Sequence, residues 1–158
     1  LARVKAIAIN TGLRARELVN TWWNDIDFEK ATIRVSQKPD WKPKDYEERV
    51  IHLNKAALQA LRDQKLKRGV LGRHIFCRQD GKKYGRGLDV AMCRAFVWAG
   101  FDSGGLHTLR HTFATRYLQK GGNLEDLRDL LGHSDIRTTQ RYLHGDSEEQ
   151  RRTIDRLG

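Results

Sequence analysis

Two segments carry side chains suited to chemistry on a phosphate. The first is Leu106-His-Thr-Leu-Arg-His-Thr-Phe-Ala-Thr-Arg-Tyr-Leu118. His107 and Arg110 stand three apart, so one helical turn puts both on one face. An imidazole exchanges a proton near neutral pH, and a guanidinium fork matches the oxygens of a phosphate. A helix starting just ahead of them would add its own positive end. Leu109, Phe113 and Leu118 supply an inward-packing side, and His111 reads as a structural neighbour. A surface helix with a charged stripe has the same pattern, so this segment alone fixes nothing. The second segment is Leu130-Leu-Gly-His-Ser-Asp-Ile-Arg-Thr-Thr-Gln-Arg-Tyr-Leu-His144. His133 follows a helix end, and Tyr142 comes nine residues later. A lone tyrosine is usually a packed aromatic. This one is flanked by Arg141 and His144 and lacks the apolar neighbours of a buried stripe.

The elements that must position these groups can be read from periodicity. Residues 2–10 form a helix with Val4, Ile7 and Ala8 on one face. Thr11-Gly12 interrupts it, and a second helix runs from Arg14 to about Trp23, burying Leu18 and Trp22. Alternation at Ile26 and Phe28, at 32–36 and at 48–53 predicts three short antiparallel strands. The link at 37–45 holds both prolines and three lysines and is expected to be an exposed, partly rigid turn. Helices follow from Lys55, at 88–99 (apolar face Val90, Cys93, Val97, Trp98), at 107–120, at 124–131 and near 135–143. A short strand or extended piece over His74–Cys77 and a turn at Asp80-Gly81 lie among them. Gly121-Gly122 and Gly132 end two of the helices, and Ser134 is the expected N-cap of the last. A charged helix from Asp146 to Leu157 has only Ile154 and Leu157 as aliphatic anchors. The fold class is mainly α with a small three-stranded antiparallel sheet (α+β), one domain over residues 1–158.

Charge narrows the partner. Thirty Lys and Arg face twenty Asp and Glu, a net +10. Residues 51–100 hold 11 basic and 3 acidic side chains (11 − 3 = +8), whereas 101–158 hold 9 of each. A concentrated basic region points to a polyanion, most simply nucleic acid, although a solvated basic face has the same composition. Cys77 and Cys93 make no disulfide framework, which fits a reducing cytosol. No pair of histidines or cysteines has metal-ligand spacing, so no metal or other cofactor is expected. No apolar run approaches a membrane span, and no signal peptide is visible. The start, Leu1-Ala-Arg-Val, lacks a Met and reads as a helix entered part-way, as expected of a piece of a longer protein.

Taken together, the boxes resemble the tyrosine recombinases, the family of phage integrases and of enzymes that resolve chromosome dimers. Thr11-Gly-Leu-Arg-Ala-Arg-Glu-Leu18 is similar to the family's first box, with Arg14 as the first arginine. His107-Thr-Leu-Arg110 is similar to the second, Leu131-Gly-His133 to the third and Thr139-Gln-Arg-Tyr142 to the fourth. Order and spacing agree across nearly the whole chain. The family also carries a hairpin lysine. Counting forward from Arg14 gives Lys38, and counting back from Arg49-Val-Ile-His-Leu53 gives Lys44. Lys44 is preferred, because Lys-Asp-Tyr-Glu-Glu-Arg-Val-Ile51 resembles the usual pattern.

The resemblance implies metal- and ATP-independent breaking and rejoining of double-stranded DNA for site-specific recombination, integration or excision. Arg14 and Arg110 would clamp the scissile phosphate, where guanidinium charge is most useful. Tyr142 would attack phosphorus, and the covalent phosphotyrosine would conserve the bond energy. A free phenol has a pKa of about 10. His107 would therefore take its proton or bond the phosphate, and His133 would bond a phosphate oxygen. Lys44 or a neighbour would protonate the departing 5′ oxygen. Glu17, one turn from Arg14, would orient it. An N-terminal DNA-clamping domain is expected outside this sequence, so DNA binding by this part should be weak and salt-sensitive. A tetramer on DNA is expected, with residues 146–158 reaching a neighbour or folding back. The setting would be the cytoplasm of a bacterium, with the gene resident or phage-borne and the enzyme nucleoid-associated when active. Two other readings share features: a type IB topoisomerase-like relaxing enzyme, and a DNA-binding module built on the helices of 107–143.

Overall fold

The computed structural model describes residues 1–44, 48–68, 72–85 and 87–143. Helix α1 (Ala2–Thr11) buries Val4, Ile7 and Ala8, and packs against both α3 (Lys55–Arg68) and α5 (Leu106–Gln119). Helix α3 returns Ala57, Ala60 and Leu61 to that contact, and Asn54 caps its start by accepting from the Ala57 amide at 2.9 Å. Strands β1 (Ile26–Asp27), β2 (Thr32–Val35) and β3 (Arg49–His52) form an antiparallel sheet in the order β1-β2-β3. Its register pairs Ile33 with Ile51, and both are buried. One face of the sheet therefore belongs to the core, and Val50 on the other face is exposed. Helices α6 (Leu124–Leu131) and α7 (Ile136–Gln140) complete the described chain, with α4 (Gly87–Trp98) leading into α5.

The mainly helical α+β class and the three strands agree with expectation, and several local expectations do not. The second helix, α2, spans only Ala15–Asn20. Thr21 turns extended (ψ 130°), and the Thr21 hydroxyl and the Asn20 amide bond back onto the Glu17 and Arg16 carbonyls at 2.8 and 2.7 Å. The Trp22 amide goes to Asp25 instead, and a 3₁₀ turn forms at Trp23–Asp25. Trp22 is consequently half-buried, not in the core. Residues 74–77 form isolated bridges to Trp22 and Lys83, not a strand. The link after β2 is not uniformly exposed, since Lys38 and Pro43 are buried. On α4 the buried face is not the expected one. Leu88 and Met92 are buried, with Phe96 beside the same core, a stripe of spacing four. Val90, Cys93, Val97 and Trp98 point outward, Trp98 at 94% exposure. The N-cap of α7 is Asp135, not Ser134, its carboxylate accepting from the Arg137 amide at 2.9 Å. The expected helix at 146–157 lies outside the described residues.

Gly12 joins α1 to the site. It caps α1 with φ +64°, and its amide donates to the Ala8 carbonyl at 3.0 Å. A Cβ there would stand 2.5 Å from the Phe113 ring and 3.1 Å from Leu131. Left-handed backbone and overpacking each cost an L-residue about 1–2 kcal/mol. Gly12→Ala is expected to lower the unfolding free energy by about 2–4 kcal/mol in urea denaturation; an unchanged midpoint would contradict this packing.

Candidate functional site

The C-terminal end of α6 organises the site. The last carbonyls of a helix have no intrahelical donor and carry its negative end. Here the Arg128 and Asp129 carbonyls take the amides of His133 and Gly132, which turns left-handed at φ +62°. The next three take arginines from three different parts of the chain. Arg49 Nε donates to the Leu130 carbonyl at 2.8 Å, Arg110 Nη2 to that of Leu131 at 2.8 Å, and Arg14 Nη2 to that of Gly132 at 2.6 Å. Arg110 Nη1 also donates to the Gly12 carbonyl at 2.6 Å. A side chain at 132 would crowd Arg49, whose Nη1 would lie 2.7 Å from the added Cβ.

Glu17 lies between two of these cations and is only 2% exposed. It accepts from Arg49 Nη1 and Nη2 at 3.0 and 2.8 Å, from Arg14 Nη1 at 3.3 Å and from the Arg14 amide at 2.8 Å. Burial pushes its carboxyl up, but the hydrogen bonds and charge of Arg49, then of Arg14, outweigh this, and the net shift is downward. Arg110 is 3% exposed. Burial, opposed by Glu17 and assisted by Arg14 and Arg49, pulls its pKa down to about 10, so it stays cationic at neutral pH.

Arg110 fixes His133. A guanidinium can only donate, so its 3.0 Å contact with His133 Nε2 makes that nitrogen the acceptor. The proton then sits on Nδ1, which donates to Thr139 Oγ1 at 2.9 Å. His133 thus holds Arg110 in place, and in this proton arrangement its one N–H goes to Thr139 instead of to the phosphate oxygen expected from the sequence. On the same face of α5, His107 Nε2 and His111 Nε2 are 2.8 Å apart, and one proton joins them. The His111 ring lies 5.1 Å from that of Tyr142. Burial, then the charges of His107, Arg141 and Arg110, lower the His111 pKa, which keeps it neutral at neutral pH.

Arg14, Lys44, His107, Arg110, His133 and Tyr142, the six residues singled out in the sequence, all line one cleft of about 550 Å³. Glu17 lies at its base. Tyr142 departs from expectation in one respect. It is 9% exposed and packs with Ala114, Leu127 and Leu131, so it does have apolar neighbours. The two lysines separate. Lys44 is an exposed lysine on the rim. Lys38 is buried at the root of the hairpin, ion-paired with Asp25, bonded to Ser36 Oγ at 2.9 Å and 5.0 Å from the Trp22 ring centroid. Lys42, Trp41, Thr138 and Arg141 also line the cleft and were not foreseen. Neither were Arg49 and Thr139, although Arg49 stood in the string that pointed to Lys44. Among the described residues no cluster of His, Cys, Asp and Glu could hold a metal ion, and no helix is long and apolar enough to cross a membrane.

A small helical domain that gathers arginines, histidines and one tyrosine around a single cleft is a recurrent class. Residues 2–149 match the phage integrase family. The tyrosine recombinase XerC of Xanthomonas axonopodis pv. citri is 32% identical over 149 residues, covering 92% of this chain and 47% of the relative. Among solved structures, the XerA recombinase superposes with a TM-score of 0.85 at 23% identity, over 98% of this chain and 57% of that one. The Tn1549 transposon integrase, solved in complex with a circular intermediate DNA, superposes with a TM-score of 0.79 at 24% identity, over 99% and 58%. The chain belongs to the phage integrase family, the tyrosine recombinases, and spans about half the length of the relatives it matches.

The lowered Glu17 pKa gives a pH test. A carboxylate with a depressed folded pKa contributes stability above its unfolded pKa and loses it as pH falls through the folded value. Glu17→Gln should cost about 3–5 kcal/mol at neutral pH, because it strands buried arginine charge. The gap to wild type should narrow as the solution is acidified below the ordinary carboxyl range. Urea unfolding of both proteins across that range checks this, and a gap independent of pH would refute it.

Proposed function

We propose that this chain is the catalytic domain of a site-specific recombinase that cuts and rejoins double-stranded DNA through Tyr142. The observation that carries the reading is the single cleft shared by Arg14, Lys44, His107, Arg110, His133 and Tyr142. A phosphodiester resists attack because its oxygens are negative. Arg14 and Arg110, already anchored on carbonyls, would meet the non-bridging oxygens and the charge that grows on them in the transition state. Tyr142 Oη attacks phosphorus, the bond from phosphorus to O5′ breaks, and a 3′-phosphotyrosine and a 5′-hydroxyl result. His107 takes the tyrosine proton or bonds the phosphate, with His111 sharing its Nε2. His133 holds Arg110 against the phosphate. Lys44 gives the proton to O5′, and its place on the cleft favours it over Lys38, which Asp25 retains. The reverse sequence reseals the strand without ATP, because the ester bond is conserved.

The wider reading extends the resemblance drawn from the sequence. Double-stranded DNA is the partner, and the transposon integrase is solved in complex with a circular intermediate DNA. A separate N-terminal domain clamps the far side of the duplex, four subunits act together, and residues 146–158 supply the link between them. The protein works in the bacterial cytoplasm at the nucleoid.

Two measurements test the chemistry. DNA trapped covalently on the wild-type protein under denaturing conditions should map to Tyr142 by mass spectrometry, and sequencing it identifies the target. Tyr142→Phe should trap none; equal trapping would sink the proposal. Lys44→Ala should slow cleavage by roughly 10²–10⁴-fold, and a 5′-bridging sulfur, which leaves without an acid, should restore the rate. Restoration in Lys38→Ala instead would reassign the proton to Lys38.

A further inference from the structure

Arg49 begins β3, directly after the lysine-bearing hairpin, yet its side chain leaves the sheet. It is 8% exposed and uses all three of its nitrogens. Two meet the carboxylate of Glu17 on α2, and the third meets the Leu130 carbonyl at the end of α6. The same carboxylate bonds the Arg14 amide and Nη1, and the next carbonyls of the same helix end hold Arg110 and Arg14. Arg49 therefore shares both of its partners with the arginines of the cleft. It is not among the residues that line the cleft. An ion pair that served only the sheet would not need this address. Arg34 and Glu48, beside it on the hairpin, pair at 3.0 Å in the open, with 63% and 46% exposure.

We propose that Arg49 is a positioning residue for phosphodiester cleavage: by clamping Glu17 and the end of α6 it fixes Arg14 and ties the root of the hairpin to the arginine pair. The inference rests on the functional reading above. A lysine at 49 keeps the charge but cannot bond the carboxylate through two nitrogens and the carbonyl through a third. Glu17 is then held less firmly, and Arg14 loses the fixed carboxylate that sets its rotamer. Misplacement by about 1 Å costs on the order of 100-fold in a positioned reaction.

The experiment uses the full-length protein and the duplex recovered by covalent trapping on wild type, in two forms. One has the natural scissile phosphate. The other has a methylphosphonate there, which lacks the negative charge that the arginines neutralise. Single-turnover adduct formation is measured for wild type, Arg49→Lys, Arg49→Ala, Arg34→Ala and Tyr142→Phe, with thermal unfolding of each. Arg49→Lys should cleave the phosphodiester on the order of 100-fold more slowly than wild type. On the methylphosphonate its deficit should shrink at least about tenfold, because the misplaced arginine charge is no longer required. Arg34→Ala should match wild type on both. Arg49→Lys carries the test if Arg49→Ala fails to fold. An equal deficit on both substrates would make Arg49 merely structural and overturn the inference, as would wild-type rates in Arg49→Lys. Full adduct formation by Tyr142→Phe would instead overturn the functional reading, whatever Arg49 does.

Discussion

The end of α6 is the constraint on which the site depends. Three successive carbonyls, of Leu130, Leu131 and Gly132, would be stranded by the left-handed turn at Gly132. They are satisfied by guanidinium groups from β3, from α5 and from the residue before α2. Arg14 and Arg110 lie far apart in sequence, yet they become neighbours because one helix terminus binds both. The terminus also sets their orientation. Each guanidinium spends donors on fixed backbone oxygens, so its plane is defined before any ligand arrives. Backbone carbonyls make a firmer anchor than side chains, having no rotamers to lose. The adjoining Leu127 and Leu131 hold α6 in the core, so the polar anchor is fastened to a dry, close-packed surface.

Collecting three arginines in so small a volume is costly, and Glu17 makes it tolerable. A buried carboxylate between two guanidinium groups converts repulsion into a hydrogen-bonded lattice. Its charge also opposes the loss of basicity that burial and the other arginines impose on Arg110. Among the described residues, one buried carboxylate meets the charge of Arg14, Arg49 and Arg110, and Lys42, Lys44 and Arg141 line the same cleft. A dianionic ligand would over-neutralise a balanced site. A site left net positive favours an anion that it has not yet bound, and on the proposed reading that anion is the phosphate with the charge it gains in the transition state.

Much of this was legible in the sequence because it is local. His107 and Arg110 are fixed by one helical turn, His133 and Tyr142 by a short helix between them, and the strands by plain alternation. Shared location could be read only through the resemblance, since no single box determines that four of them meet. What escaped detection depends on contacts between distant elements. Arg49 looks like any charged residue at a strand start, and only the fold carries it to Glu17 and Leu130. Lys38 looked as exposed as its neighbours until Asp25 and Trp22 were brought beneath it. On α4 two apolar stripes of similar strength compete. The stripe of Leu88 and Met92 is inside because α5 and the α1 core meet it, which periodicity alone does not encode. The burial of Tyr142 was missed for the same reason, as Ala114, Leu127 and Leu131 come from other helices.

That burial matters for the chemistry proposed. A phenol in open solvent would be free to rotate, and water would compete for its oxygen. Tyr142 is held instead by packing against Ala114 and the His111 ring of α5 and against Leu127 and Leu131 of α6, with its amide bonded to the Thr139 carbonyl at 3.0 Å. Thr139 in turn accepts from His133, which accepts from Arg110. Tyr142, the proposed nucleophile, and Arg110 are thus linked through one short run of backbone and a single histidine tautomer. A protonated His133 could not accept from Arg110, and a deprotonated Nδ1 could not donate to Thr139, so this linkage holds in one proton arrangement only. Tyrosine position and arginine position are therefore not independent variables in this fold. A change that frees α7 from α6 would disturb both at once, without touching either side chain.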